Sequence, residues 1–399
     1  MNPPTSGCLA GLRVLDLSRV LAGPFCTQLL GDMGAEIIKV ERPGSGDDTR
    51  QWGPPWFHGE SAYFLSCNRN KKSLTLNLKS AQGRELIKKL AAQSDILVEN
   101  FKTGEMAKLG LDYTSLQPLN PGLIYCAITG YGQNGPYAER PGYDFIIQAQ
   151  GGVMSITGEA EGEPRKVGVA IADVMAGMYA ANAILGALAH RHKTGAGQFI
   201  DIALLDSQVS WLINVAMNYL VSGQAPRRYG NAHPNLAPYQ AFATADSQIA
   251  IGVGNDEQFR RLCLHLDLAE MAQDPKFANN AQRLQHRDAM TSRLQNRLRE
   301  KSTEEWLAIL LAAQIPVSAI NSIPQILQDP QVLARDMVRT VQHPAGDLRV
   351  LGPVAKFSET PSNVYAPPPL LGQHTEEILK NLLGLAAEEI LALRESGAI

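Results

Sequence analysis

A chain of 399 residues is longer than one hydrophobic core comfortably serves, so two domains, or one with a large insertion, are expected. Apolar residues make up 45% and charged ones 19%, which supplies a core, and no uninterrupted apolar run approaches the roughly 20 residues that span a bilayer. The formal net charge of −3 lacks the basic footprint of a nucleic-acid or anionic-membrane binder; neither is expected as a partner, and an anionic ligand must be held by local charge.

In chain order, LRVLDLS (12–18) reads as a short strand, and Gly23-Pro24 can open a helix carrying Phe25, Leu29 and Leu30. Residues 36–42 read as a second strand. Ser80 can cap an amphipathic helix with Leu86, Ile87 and Leu90, and 95–101 and 122–131 are two more strands. Strands apolar on both faces and alternating with helices predict a parallel sheet covered on both sides, an α/β doubly wound domain. The segment 173–190, with Met175, Met178, Tyr179, Ile184, Leu185 and Leu188, is apolar nearly all round and predicts a buried helix. Gly195 and Gly197 then lead into the strand FIDIALLD, and a further helix ends near Gly223. Turn-rich text follows, with shorter elements to about Ile320, and reads as a smaller domain. The proline-rich stretch 360–371 reads as an extended arm, because helical text resumes at Thr375.

Five scattered cysteines without a C-x-x-C pair fit a reducing compartment and argue against zinc. The N-terminus lacks the marks of a secretory or mitochondrial signal, so a cytoplasmic location is expected. No metal-ligand spacing, no G-x-S-x-G and no G-x-G-x-x-G occurs, which disfavours a resident metal or a nicotinamide cofactor. What remains are polar residues at predicted strand ends, where open α/β sheets bind ligands: Arg42, Asn100 and Phe101, with Arg69, Lys71, Lys72 and Lys79 between them in sequence. They could hold a nucleotide phosphate and stack a base, or be solvated surface charges. Asp173 stands before the apolar helix as an expected N-cap, and there the helix dipole would keep its carboxylate ionised and nucleophilic.

The motifs LAGLRVLDLSRVLAGPFCTQLLGDMGAEIIKVERPGSGDDTR, SCNRNKKSLTLNL, DILVENF, GYGQNGP, GVAIADVMAGMYA, HKTGAGQFID and APPPLLGQHTEEIL follow one another along essentially the whole chain. In these it resembles the family III CoA-transferases, which include formyl-CoA transferase, carnitine CoA-transferase and α-methylacyl-CoA racemase. The resemblance implies a discontinuous, Rossmann-like large domain (1–222 and 325–399), a small α+β domain (223–324), and ring-shaped subunits interlinked as a homodimer. It places the catalytic carboxylate on Asp173 and CoA-contacting positions on Val20, Ala22, Arg42, Leu76, Lys79, Asn100, Phe101 and Lys108. Coenzyme A and acyl-CoA would be substrates, with small carboxylic acids as partners and no permanently bound cofactor. The implied chemistry is attack of Asp173 on a thioester to give an acyl anhydride, return of CoA to form an aspartyl thioester, and relay to an incoming carboxylate.

Racemases of the family carry a histidine base in a G-H-D motif. Here the text is Gly142-Tyr143-Asp144, and tyrosine, with an ordinary pKa near 10, is a poor base at neutral pH. The glycine run of formyl-CoA transferases is replaced by GNAHPN (230–235), which disfavours a formate or oxalate exchange. The nearest resemblance is to succinate–hydroxymethylglutarate-type dicarboxylate CoA-transferases, implying succinyl-CoA as donor and a C4 to C6 diacid as acceptor. For the free carboxylate of that acceptor, Arg50, Arg227, Arg228 and His233 are candidate partners, with Tyr143 and Tyr239 as hydroxyl donors; the other reading of His233, which precedes a proline in turn-rich text, is a turn brace. A CoA-binding protein without turnover is the alternative of another class, and the intact Asp173 argues against it.

Overall fold

The computed structural model describes residues 6–399; the first five, part of the stretch read for targeting signals, lie outside the described residues. The chain forms two compact units, one made of the chain up to Gly152, Val167–Leu212 and Pro330–Ile399, the other of Val153–Lys166 and Ile213–Asp329. The breaks therefore fall after Leu212 and Asp329 rather than at 222/223 and 324/325. Helix Ile213–Ser222 buries none of its residues, so it adds nothing to the first core. Residues 153–166 join the second unit because Arg228 donates to the carbonyls of Glu159 and Gly162, at 3.1 and 2.6 Å, and Gly230 N–H to that of Gly158.

The first unit is built on six parallel strands: β1 (Arg13–Asp16), β2 (Glu36–Glu41), β3 (Lys71–Thr75), β4 (Ile96–Glu99), β5 (Ile124–Thr129) and β6 (Phe199–Ala203), in the order β3-β2-β1-β4-β5-β6. This is the doubly wound, Rossmann-like order, and direction along the sheet reverses between β1 and β4. Alternate residues feed opposite faces. Val14, Ile37, Ile96, Val98 and Cys126 pack with helices α1 (Ala22–Asp32) and α4 (Ile171–Thr194), whereas Leu15, Ile38, Leu74, Leu97 and Tyr125 pack with α2 (Ala81–Ala91) and the C-terminal helices. A shorter helix, α3 (Asp144–Gln150), precedes α4. Ser80 caps α2, accepting from Gly83 N–H, and Leu86, Ile87 and Leu90 face the sheet, each burial stabilising by about 1.5–3 kcal/mol.

Helix α4 departs from the expectation of burial all round. Its buried stripe consists mostly of small residues, Ala172, Ala176, Gly177, Ala180, Ala181, Ile184 and Ala187, while Met178, Tyr179 and Leu185 face outward. The small stripe lets α1 approach closely: a Cβ at Gly177 would lie 2.6 Å from the carbonyl oxygen of Ala22. By length and composition alone α4 could cross a membrane, but the stripe is packed into the core of the sheet unit.

The C-terminal arm is stitched to the β3 edge. Asn70 accepts from the amides of Tyr365 and Ala366 and donates to Asn363 O, His374 N–H bonds Ser73 O, and Thr75 N–H bonds the Thr375 hydroxyl. The second unit holds a three-stranded antiparallel sheet of Tyr239–Ala243, Gln248–Gly252 and Val317–Ala319 under helices packed around Phe259, Phe277, Leu294 and Trp306.

Candidate active site

Three strand ends of the parallel sheet share one hollow of about 160 Å³. Residues 19–22 follow β1, 100–103 follow β4, and 128–130 close β5; Asp48, Arg140–Tyr143 and Asp173 also line it, with Ala138 and Leu204. It lies at the carboxyl ends of the strands, beside the reversal in strand order, where open α/β sheets take ligands.

The turn after β1 is fixed at nearly every backbone group. Ser18 N–H donates to Asp16 and its carbonyl accepts from Lys39 Nζ. Arg19 N–H donates to Asn100 Oδ1 at 2.9 Å, Asn100 Nδ2 donates to Arg19 O at 2.6 Å, and Val20 N–H reaches the Asp47 carboxylate at 3.2 Å. These bonds hold Val20 at φ +70°, left-handed backbone that costs a β-branched residue of order 1–3 kcal/mol. Behind the turn Lys39 and Asp47 form a buried 2.9 Å ion pair. Burial opposes both charges, but Asp47, Asp16 and Glu41 together hold the ammonium above its ordinary range, and Lys39 holds the Asp47 carboxyl down at about 2. Helix α1 then begins with no side-chain cap at Leu21, so its N-terminal amides and the positive end of its dipole lie in the wall of the hollow.

Asp173 is not an N-cap. Helix α4 starts at Ile171 with Ala170 as its uncapped flank, which puts Asp173 third in the first turn, and Ala172 N–H is satisfied by Asp144 Oδ1 from α3 at 2.8 Å. Nor does the dipole dominate its ionisation. Burial first, and then the Asp144 carboxylate, push the Asp173 carboxyl up to about 7. A carboxylate of that basicity is a stronger nucleophile than an ordinary one and is still substantially ionised at neutral pH. Tyr63 belongs to the same electrostatic neighbourhood: burial and the Asp173 carboxylate push its phenol up to about 12, so it stays a hydrogen-bond donor.

Of the residues expected from sequence, the structure gathers Val20, Ala22, Asn100, Phe101, Tyr143 and Asp173 around one hollow. Asn100 is there as a clamp, both ends of its amide held by Arg19. Phe101 is held by its own N–H, which donates to Glu99 at 2.7 Å, and the Arg19 guanidinium stands over its ring at 5.4 Å. Arg42 lies outside the lining but is tied to it through Asp48, which also pairs with Arg19. Leu76 is buried, Lys79 is exposed, and Lys108 is exposed and paired with Glu105 at 2.7 Å; none of the three lines the hollow.

The lysines and arginines between β2 and α2 are not a ligand cluster. Lys71 is buried against Asp16, Arg69 is paired with Asp32, and Lys72 bridges Glu36 and Glu377. Arg50 is likewise unavailable as a substrate anchor: it grips Glu41 at 2.7 and 2.8 Å, reaches Glu60 and Pro369 O, and sits 3.6 Å from the centre of the Phe64 ring. His233 belongs to the second unit, where its Nδ1 accepts from Asn235 N–H and its ring packs on Tyr239, the role of a turn brace. Arg228 is occupied by backbone carbonyls, and Arg227 lies over Tyr229. Sequence reasoning missed Arg19, Lys102, Tyr63 and Arg140; a signal was present only for Arg19, in the turn directly after a strand.

A reactive carboxyl beside an uncapped helix N-terminus, with an aromatic ring and cations in reach, suits acyl transfer from an anionic, base-bearing carrier. The comparisons with known proteins agree. The family model "CoA-transferase family III" matches residues 9–375. The chain is 46% identical to a succinyl-CoA:glutarate CoA-transferase of Mus musculus, covering 99% of this chain and 92% of the relative, and 45% identical to a succinate–glutarate CoA-transferase of Agrobacterium fabrum, covering 94% and 95%. A CAIB/BAIF family protein from Brucella suis has a crystal structure that matches with a TM-score of 0.85 at 46% identity, over 95% of this chain and all of that one. With the fold, the hollow at the strand reversal and the whole length of the sequence in agreement, this chain belongs to CoA-transferase family III.

Proposed function

We propose that the enzyme moves coenzyme A from succinyl-CoA to a small dicarboxylate, with glutarate as the foremost acceptor, and that Asp173 carries the acyl group. The observation that carries this reading is the Asp173 carboxyl, raised to about 7 in the wall of the hollow, in a chain 45–46% identical to two succinate–glutarate transferases. The Asp173 carboxylate attacks the thioester carbonyl, the C–S bond breaks, and a mixed succinyl–aspartyl anhydride and CoA thiolate result. The thiolate attacks the aspartyl carbonyl and releases succinate, leaving an aspartyl-CoA thioester. The acceptor carboxylate then displaces CoA to give a second anhydride. Attack of the thiolate on the new acyl carbonyl yields the product thioester and restores Asp173. Each return attack is effectively intramolecular while CoA stays bound.

The working form is proposed to be the homodimer of interlinked rings implied by the family resemblance. In support, Met178, Tyr179 and Leu185 of α4 are exposed, as are Leu220 (71%) and Val221 (81%) of helix Ile213–Ser222, apolar side chains that a second subunit would cover. Light scattering should give twice the mass of the chain.

The test of function is mass spectrometry of acyl-CoA species after mixing the protein with succinyl-CoA and glutarate. Glutaryl-CoA should form, and Asp173→Ala should abolish it. With 18O-labelled glutarate carboxylates, label should reach succinate through Asp173, since the anhydride route passes one acceptor oxygen to the enzyme in each turnover. Glutaryl-CoA made undiminished by Asp173→Ala would overturn the reading.

A further inference from the structure

The hollow poses an electrostatic problem for a diacid. It contains Asp173, its wall contains Asp48, and Asp144 lies close enough to Asp173 to raise its pKa; a dianion entering beside these carboxylates is repelled unless a cation receives its far end. Three cationic side chains line the hollow: Arg19, Lys102 and Arg140. Arg19 is already committed, to Asp48 and to the face of Phe101. Lys102 stands next to Phe101 and also lines a second hollow beneath that loop, with Glu99 and Asp112. Lys102 and Arg140 remain. Among the described residues no carboxylate pairs with either, but Arg140 is braced, its guanidinium 3.8 Å from the centre of the Tyr137 ring.

Its loop is held in place at both ends. Gly130 and Gly142 approach so closely that a Cβ on either would lie 2.6 or 2.4 Å from the Cα of the other, which returns the 131–142 segment to the end of β5. Tyr137 packs edge-on against Tyr131, whose hydroxyl donates to Gln150 at 2.8 Å, and Arg140 N–H closes a turn onto Tyr137 O. Four residues on, Asp144 bonds the amide of Ala172, next to the nucleophile. The loop that presents Arg140 is thus tied to the first turn that presents Asp173. A guanidinium resting on an aromatic face keeps its N–H edges free and loses little freedom on binding, and that edge matches a carboxylate in bidentate fashion.

We infer that Arg140 is the specificity-determining residue that receives the distal carboxylate of the acceptor, so that diacids are chosen over monoacids. This rests on the dicarboxylate reading above. The same contact serves the free carboxylate of succinyl-CoA on the donor side.

The test compares glutarate with pentanoate, a monoacid of the same carbon count, both with succinyl-CoA as donor, in the wild-type enzyme, Arg140→Ala and Arg140→Lys. The donor half-reaction is common to both acceptors and cancels in the ratio of their kcat/KM values. The wild type should favour glutarate strongly. Arg140→Ala should lower kcat/KM for glutarate at least 30-fold more than for pentanoate, Arg140→Lys should recover part of the ratio, and inhibition by free CoA should be unchanged in both. An Arg140→Ala enzyme that keeps the glutarate-to-pentanoate ratio, or whose affinity for free CoA drops in step with its activity, overturns the assignment, the latter by making Arg140 a CoA contact. A wild-type enzyme that uses only monoacids removes the dicarboxylate reading itself, and that result is in hand before any variant is compared.

Discussion

Asp144 and Asp173 sit on successive helices, and the first shapes the second twice. Its Oδ1 accepts Ala172 N–H at 2.8 Å, which fixes the turn carrying Asp173, and its charge helps burial raise the Asp173 carboxyl to about 7. The two effects separate in Asp144→Asn, which keeps an acceptor for Ala172 but removes the charge. Asp173 in the variant should titrate lower. At pH 6 a carboxyl of pKa about 7 is only about one-tenth ionised, so the acid limb of kcat/KM should move to lower pH and the rate at pH 6 should rise several-fold. An unchanged acid limb would assign it to another group.

Asn100 should behave as a positioning residue. Asn100→Ala removes both bonds that bracket Arg19 and loosens strained Val20, so KM for succinyl-CoA should rise by up to about 30-fold, the factor that corresponds to two lost hydrogen bonds of about 1 kcal/mol each. Val20→Gly in the same background should recover part of that loss, because glycine adopts positive φ without strain. If KM is unaffected, the turn does not need the clamp.

Arg50 provides the contrast with Arg140. Arg50→Ala leaves Glu41 buried and stripped of its bidentate partner, and should cost about 3–5 kcal/mol in denaturant unfolding. Among molecules that still fold, the preference for diacids over monoacids should be intact. A selective loss of glutarate activity would return Arg50 to the substrate site.

Glu99 predicts an alkaline weakness. Among the described residues it has no cationic partner, and burial pushes its carboxyl from 4.5 to about 8. Below about 4.5 folded and unfolded chains both hold the proton. Between 4.5 and 8 only the folded chain does, so stability falls as pH rises, by at most about 1.4 kcal/mol per pH unit for one proton. Glu99→Gln should flatten that decline while Gln Oε1 still accepts Phe101 N–H, as thermal melts from pH 5 to 9 would reveal; an equal decline in the variant would clear Glu99.

The sheet was readable because its strands are apolar on both faces and punctuated by Gly-Pro, Ser80 and Gly195-x-Gly197; buried parallel strands leave that trace. Asp173 and the strand-end pair Asn100-Phe101 were also legible, by position. Charge was where reading failed. Lys39, Lys71, Arg50 and Arg69 carry the same letters as surface residues, and only the folded chain brings Asp47, Asp16, Glu41 and Asp32 against them. Arg140 was hidden for the converse reason. It sits in turn-rich text with no periodicity, and its meaning depends on a close approach between two glycines twelve positions apart.

The arm that runs along the β3 edge sets a condition on how the protein is made. Besides their partners nearer in sequence, Asn70, Ser73 and Thr75 each bond a residue about 300 positions later, at Asn363, Gly372 and Thr375. Contacts of that span are slow to form because a long loop must close first, and on the ribosome they cannot form until the chain is nearly finished. The second unit, whose main segment Ile213–Asp329 is contiguous, can condense while the first still waits for its edge. A chain released before residue 363 would present a naked β3 edge, an open template for pairing with other chains.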